Sequence, residues 1–235
     1  WSSDVCSSDL RRFNERSKLN LELILRWSRG SMDLFDHQII PLRLTNERAS
    51  EVMFWPNWLG KSLADILLNT AISQTPWRQD FIRIMGKKIP VPRLQNWFGD
   101  PKTSYTYSRI RLQAVAFPQW LDKLRADVES ETGKRFNRAL VNYYRSGQDS
   151  VDWHADDEPE LGFEPVIASV SVGCDRVFQL RHNETKEKVK INLPHGSLLL
   201  MGAGIQEYWQ HSIAKVKNLD DPRVNFTFRY MSPNH

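Results

Sequence analysis

Residues 139–173 read ALVNYYRSGQDSVDWHADDEPELGFEPVIASVSVG. Three short runs rich in β-branched and aromatic residues, ALVNYY, SVDWHAD and VIASVSVG, stand between clusters of Ser, Gly, Asp and Pro. That pattern predicts strands separated by turns. Five more runs of this kind follow: RVFQLRH from Arg176, VKINL from Val189, SLLLMG from Ser197, QHSIAKV from Gln210 and RVNFTFRYM from Arg223. No helical repeat separates them, so a βαβ parallel sheet is excluded. Eight short strands in succession predict a double-sheet jelly roll.

Upstream, the pattern changes. IPLRLT from Ile40 reads as a short strand. Leu63, Ile66, Leu67 and Ala71 recur at helical spacing and predict a helix over 62–73, with Ser62 as its N-cap. DFIRIMGKKIPVPR alternates and turns at Met85-Gly86, which predicts a β-hairpin. Trp120, Leu121, Leu124 and Val128 form one stripe of a second helix over 117–132, terminated at Thr132-Gly133. Two helices ahead of the roll are expected to brace one sheet from outside. The fold class is α+β, mainly β. The expected organisation is an N-terminal extension over 1–40, a region of helix and hairpin over 41–116, and a supporting helix with the jelly roll over 117–235. The opening WSSDVCSSDL has no starting Met and no period, and reads as sequence of cloning origin.

Composition sets bounds. The 235 residues suit one core domain with an attached lid. A net charge of +4 and a pI near 9.1 agree with a phosphate backbone as partner, although many proteins are equally basic. Two cysteines, Cys6 and Cys174, make no disulfide framework, so a reducing compartment is expected: the cytoplasm, or the nucleus in a eukaryote. No apolar run approaches ~20 residues and no signal peptide is visible, so no membrane association is expected. A monomer is expected.

Chemistry concentrates in three places. His154 and Asp156 form a His-x-Asp pair, and a lone histidine, His211, follows 55 residues after Asp156. Two histidines and a carboxylate make the facial set that holds non-haem Fe(II) with open positions. On a strand, residues i and i+2 share a side, so His154 and Asp156 can reach one metal. The final strand places Arg223, Asn225, Thr227 and Arg229 on one face, and Val224, Phe226, Phe228 and Tyr230 on the other. Burying two arginines is costly unless an anion meets them. A guanidinium matches a carboxylate bidentately, and beside a metal this implies 2-oxoglutarate. Asn142 and Tyr144 share one face of an earlier strand and offer further hydrogen bonds to a carboxylate.

Taken together, MGKKIPVPRLQNWFGD, YTYS, ALVNYYRSGQDSVDWHADDEPELG, IASVSVG, HGSLLLMG, WQHSI and RVNFTFRYM resemble the AlkB family of Fe(II)- and 2-oxoglutarate-dependent dioxygenases. The likeness runs from about Trp77 to Met231 and favours the branch that repairs DNA and RNA. It implies a double-stranded β-helix core with a nucleotide-recognition lid hairpin. It implies oxidative demethylation of 1-methyladenine and 3-methylcytosine, consuming O2 and 2-oxoglutarate and releasing succinate, CO2 and formaldehyde. By the resemblance, His154, Asp156 and His211 hold the metal. Asn142, Tyr144, Arg223, Asn225 and Arg229 contact 2-oxoglutarate. One arginine clamps the distal carboxylate and the other neutralises the carboxylate near iron, the sequence leaving open which does which while favouring Arg223 with Tyr144 for the distal group. Tyr107 stacks on the flipped base and Glu158 stands near its exocyclic amino group. Tyr105 and Arg93 match lid positions, and Met85 matches the apolar wedge that lets a duplex be opened. The expected partner is DNA, single- or double-stranded, with RNA as an alternative substrate. Two other classes are an oxygenase of the same fold acting on a protein or small molecule, and a non-catalytic nucleic-acid- or sugar-binding roll. The intact His-x-Asp, the distant His and both arginines weigh against the latter.

Overall fold

Two antiparallel sheets lie face to face in the computed structural model, which describes residues 37–84, 86–99, 104–107 and 110–231. The chain opens with the hairpin β1 (Gln38–Arg43) and β2 (Ala49–Trp55), then helix α1 (Lys61–Gln74). Strands β3 (Phe81–Ile84) and β4 (Lys87–Pro90) form a separate hairpin, followed by β5 (Leu94–Phe98) and a second hairpin, β6 (Ser104–Tyr107) with β7 (Ile110–Gln113). Helix α2 (Gln119–Thr132) precedes β8 (Arg138–Tyr144), β9 (Val151–His154), β10 (Ile167–Gly173), β11 (Arg176–His182), β12 (Lys188–Leu193) and β13 (Ser197–Met201). A single helical turn, α3 (Ile205–Tyr208), leads into β14 (Trp209–Ile213), and β15 (Arg223–Arg229) closes the fold.

The large sheet has the order β1-β2-β13-β10-β15-β8-β5 and the small one β12-β11-β14-β9. All eight strands expected after Phe136 are present, four in each sheet, as a jelly roll requires. The sheets enclose an apolar interior that includes Leu140, Phe178, Leu180, Leu199, Met201, Trp209 and Ile213. A second core lies behind the large sheet. There Trp120, Leu121, Leu124 and Val128 of α2, with Ala64, Leu67 and Ala71 of α1, pack on Ala139, Val141, Val170, Phe226 and Phe228. The helices therefore brace one sheet from outside, as their stripes predicted.

Alternation decides β15. Val224, Phe226 and Phe228 face the helices, while Arg223, Asn225, Thr227 and Arg229 face the interior between the sheets. Every residue of the strand is buried. Four sequence expectations are corrected. Tyr230 is not on the apolar face: β15 ends at Arg229, and Tyr230 is 49% exposed. Ser62 does not cap α1, because the Leu63 and Ala64 N–H groups already donate to the Gly60 carbonyl, which places Ser62 inside the first turn. Strand β14 stops at Ile213, since Val216 N–H donates to Gly147 O instead of continuing the ladder. Strand β9 ends at His154, so Asp156 lies beyond it and strand alternation does not hold the His-x-Asp pair together.

The β3–β4 hairpin has the expected two-residue connection, with Ile84 opposite Lys87 and Gly86 at φ 79°. Met85 lies outside the described residues, as do the side chains of Tyr105 and Tyr107. No helix among the described residues is long and apolar enough to cross a membrane.

Candidate metal and carboxylate site

Strands β9 and β14 are neighbours, and their register sets His154 opposite His211. The two ring centroids are 4.2 Å apart. His154 Nδ1 lies 2.8 Å from the Asp152 carbonyl oxygen, so that nitrogen donates its proton and Nε2 presents a lone pair. Nε2 is 3.9 Å from Asp156 Oδ1. One ligand atom from each of His154, Asp156 and His211 lies within 4.8 Å of the others.

Asp156 is placed by contacts rather than by a strand. Its N–H donates to Gln206 Oε1 at 3.0 Å. Its carboxylate meets the Arg229 guanidinium, with Oδ1 2.7 Å from Nη2 and Oδ2 3.3 Å from Nε. Gln206 rides on α3, whose preceding residue, Gly204, has φ 81°. A side chain there would be strained and would press on Leu44, so glycine is required for the turn that delivers Gln206.

Electrostatics leave the three side chains ready to bind a cation. Burial pushes His211 down to about 3, with His154 adding to the shift and Asp156 opposing it. Burial also lowers His154, against the pull of Asp156. Burial disfavours ionised Asp156, yet Arg229 and then the two histidines hold its carboxyl below the usual carboxylate range. Near neutral pH the set is therefore two neutral imidazoles and one carboxylate, the protonation states that ligands need. His211 Nδ1 has no hydrogen-bond partner among the described residues, and Asp156 Oδ1 accepts no well-aligned donor. Buried acceptors of this kind fit a bound metal ion.

Next to this set, the interior carries a polar floor of Asn142, Tyr144, Arg223, Asn225, Thr227 and Arg229, which lines the same pocket. Register across β8 and β15 sets Arg223 opposite Tyr144 and Asn225 opposite Asn142. The Arg223 guanidinium lies 5.1 Å from the Tyr144 ring centroid, and Nη2 donates to Ser171 Oγ at 2.8 Å. Its Nε and Nη1 find no well-aligned acceptor among the described residues, and burial depresses its pKa. Asn225 is held by Ser169 Oγ, Val170 O and Thr227 Oγ1. Asn142 Oδ1 accepts from Arg93 Nε at 2.8 Å.

Arg93 thus lies buried at the junction between this pocket and an outer groove of about 700 Å³ that also reaches His154. Glu158 is half-buried and starts the short 3-10 turn Pro159–Leu161, outside both linings. Sequence reading missed Gln206, the Asp152 carbonyl and Arg176. Gln206 and the carbonyl gave no signal, because a glutamine on a single helical turn and a backbone oxygen carry none. Arg176 gave one: it alternates with Phe178 and Leu180, which puts a charge on an apolar face.

Fold and site together describe a jelly roll with a two-histidine, one-carboxylate ligand set, the arrangement of the non-haem Fe(II) oxygenases. Residues 51–229 match the family model described as the 2OG-Fe(II) oxygenase superfamily. The chain belongs to that superfamily and, within it, to the AlkB family, whose members use Fe(II) and 2-oxoglutarate. It is 38% identical over 208 residues to the alpha-ketoglutarate-dependent dioxygenase alkB homolog 3 of Mus musculus, covering 83% of this chain and 71% of that protein. It is 39% identical over 160 residues to the DNA oxidative demethylase ALKBH2 of Bos taurus, covering 65% of this chain and 58% of that protein. The solved structure of OsALKBH1 superposes with a TM-score of 0.55 at 19% identity, over 76% of this chain and 97% of that one, a likeness of fold.

Proposed function

We propose that this chain is an oxidative demethylase of N-alkylated bases, 1-methyladenine and 3-methylcytosine, in DNA and also in RNA. The observation that carries the reading is Arg223: a fully buried guanidinium with uncommitted donors, in the same pocket as His154, Asp156 and His211. Such a group requires an anion. A dicarboxylate that binds a metal at one end and a guanidinium at the other satisfies both needs.

In this reading His154, Asp156 and His211 hold Fe(II), and Arg223 with Tyr144 takes the distal carboxylate of 2-oxoglutarate. Arg229 keeps Asp156 ionised and oriented. Asn142 and Asn225 complete the polar floor. The chemistry supplied by iron, 2-oxoglutarate and O2 is oxidation of the N-alkyl carbon, with succinate, CO2 and formaldehyde as products. Leu140, Phe178, Met201 and Ile213 line the pocket and exclude water from it.

A base must leave its stack to reach this depth. Tyr107 on β6 is assigned to stacking, Tyr105 and Arg93 to the lid side of the substrate site, Glu158 to the lesion's amino edge and Met85 to wedging open a duplex. The similarity to ALKBH2, a DNA oxidative demethylase, supports the substrate class. Residues 41–116 carry the lid and 117–235 the catalytic roll. The protein acts as a monomer, in the cytoplasm or a eukaryotic nucleus.

The test is demethylation of 3-methylcytosine and 1-methyladenine oligonucleotides, DNA and RNA side by side, with Fe(II), ascorbate and 2-oxoglutarate. Loss of the methyl group with matching succinate is expected. Turnover of 2-oxoglutarate that no methylated oligonucleotide stimulates would sink the proposal.

A further inference from the structure

The outer face of the small sheet is chemically one-sided. Phe178, Leu180, Ile191 and Leu193 point inward and are buried, so Arg181, Lys188 and Lys190 point outward. Register pairs Arg181 with Lys188 on one side and with Gln210 on the other. Only one acidic residue, Asp152, occurs on the four strands, and its Oδ1 accepts from the next residue's N–H, that of Trp153. Among the described residues Arg181, Lys188 and Lys190 form no salt bridge.

Lysines on an edge strand also guard against edge-to-edge pairing, and β12 is an edge. That role does not account for Arg181, which is on an inner strand and is ordered. Its guanidinium stacks 4.3 Å from the Trp153 ring centroid, and Nη2 donates to Gln210 Oε1 at 2.8 Å. Trp153 immediately precedes His154 in sequence. Trp153, His154 and Lys188 all line the outer groove that reaches His154.

We infer that this face is a track for a single-stranded nucleic acid flanking the reacting base, an assignment that rests on the proposed function. Arg181 on Trp153 offers a flat cationic surface for a neighbouring base, and Lys188 and Lys190 neutralise phosphates further along. Strand β12 is three strand spacings from β9, about 14 Å, which is beyond the first neighbouring nucleotide. The two lysines therefore act on long substrates and leave the shortest ones unaffected.

The experiment compares the wild type, the double variant Lys188→Glu/Lys190→Glu, and Arg181→Gln. Two probes carry 3-methylcytosine: a trinucleotide and a single strand of about fifteen nucleotides. Binding of the longer probe is measured by anisotropy across a salt series, and demethylation of the trinucleotide is measured alongside. The inference predicts roughly tenfold weaker binding of the long probe by the double variant at low salt, with the slope of log K against log salt reduced by about 1.4. Arg181→Gln is expected to weaken the long probe severalfold. Trinucleotide demethylation stays at the wild-type rate in the double variant. Unchanged affinity and salt slope for the long probe overturn the track while leaving the demethylase reading in place. A wild type that neither binds the long probe nor demethylates either overturns both.

Discussion

Arg223 and Arg229 sit six residues apart on one face of β15 and meet different neighbours. Arg229 is committed to Asp156, 2.7 Å away, which makes it part of the ligand set's support. Arg223 forms no salt bridge among the described residues; it meets Ser171 and the flank of Tyr144. Sequence reading placed both on one polar face but left open which was which, because alternation gives the face and not the neighbour across the sheet. The histidines make a testable statement about pH. His211 has an ordinary value of 6.5 and is pushed down to about 3 by burial, so the unfolded chain takes up a proton below 6.5 that the fold refuses. The metal-free fold therefore has its full stability above about 6.5 and loses it as pH falls toward 3. His154, lowered by the same cause, works in the same direction. Urea midpoints of the metal-free protein at pH 7 and pH 5 should show a loss on the order of 2 kcal/mol at the lower value. A midpoint that rises on acidification contradicts the burial of these neutral imidazoles.

At the scale of elements, the site depends on how two short strands end. Strand β9 delivers His154 and then stops; β14 delivers His211 and stops two residues later at Ile213. One buried side chain ties both arms. Arg176 donates through Nη2 to Asp149 O at 3.0 Å, just ahead of β9, and to Ala214 O at 2.6 Å, just past β14. It also lies 5.7 Å from the Tyr144 ring centroid, on the residue that accompanies Arg223. Arg176 is a positioning residue. Arg176→Lys keeps the charge but not the reach of the planar guanidinium whose Nη2 bridges the two carbonyls, and is expected to raise KM for 2-oxoglutarate about tenfold with a much smaller change in kcat. Equal losses in both, or in neither, would reduce Arg176 to a stability element. The eight core strands were legible because alternation, β-branched residues and turn clusters coincide. The helix stripes on Trp120, Leu121, Leu124 and Val128 were legible for the same reason, and α2 ends at Gly133 in the left-handed region. What escaped was termination: where β9 leaves its ladder is set by tertiary hydrogen bonds that local sequence does not encode, and α1 takes its N-cap at Gly60, two residues before Ser62, next to Leu59, whose N–H donates to Gly196 O.

For the molecule as a whole, the two cores divide the labour. The helix-backed core, with Phe226 and Phe228 fully buried, makes β15 a rigid floor. The inner core is interrupted by a polar pocket whose unpartnered ligand atoms and guanidinium donors fit a metal and an anion. The candidate ligands were legible in sequence as residue types and spacing, since few arrangements other than a facial site require a His-x-Asp, a distant His and two inward arginines. The pocket's outer supports, Gln206 and Arg176, required the fold. The central claim is that His154, Asp156, His211 and Arg223 form one composite site for Fe(II) and 2-oxoglutarate. Its most direct test is anaerobic titration calorimetry of 2-oxoglutarate into Fe(II)-loaded protein, wild type against Arg223→Ala. The account predicts saturable binding in the wild type and affinity weaker by roughly tenfold or more in the variant, as loss of a charge-assisted bidentate pair entails. Equal affinity in the two proteins would contradict it.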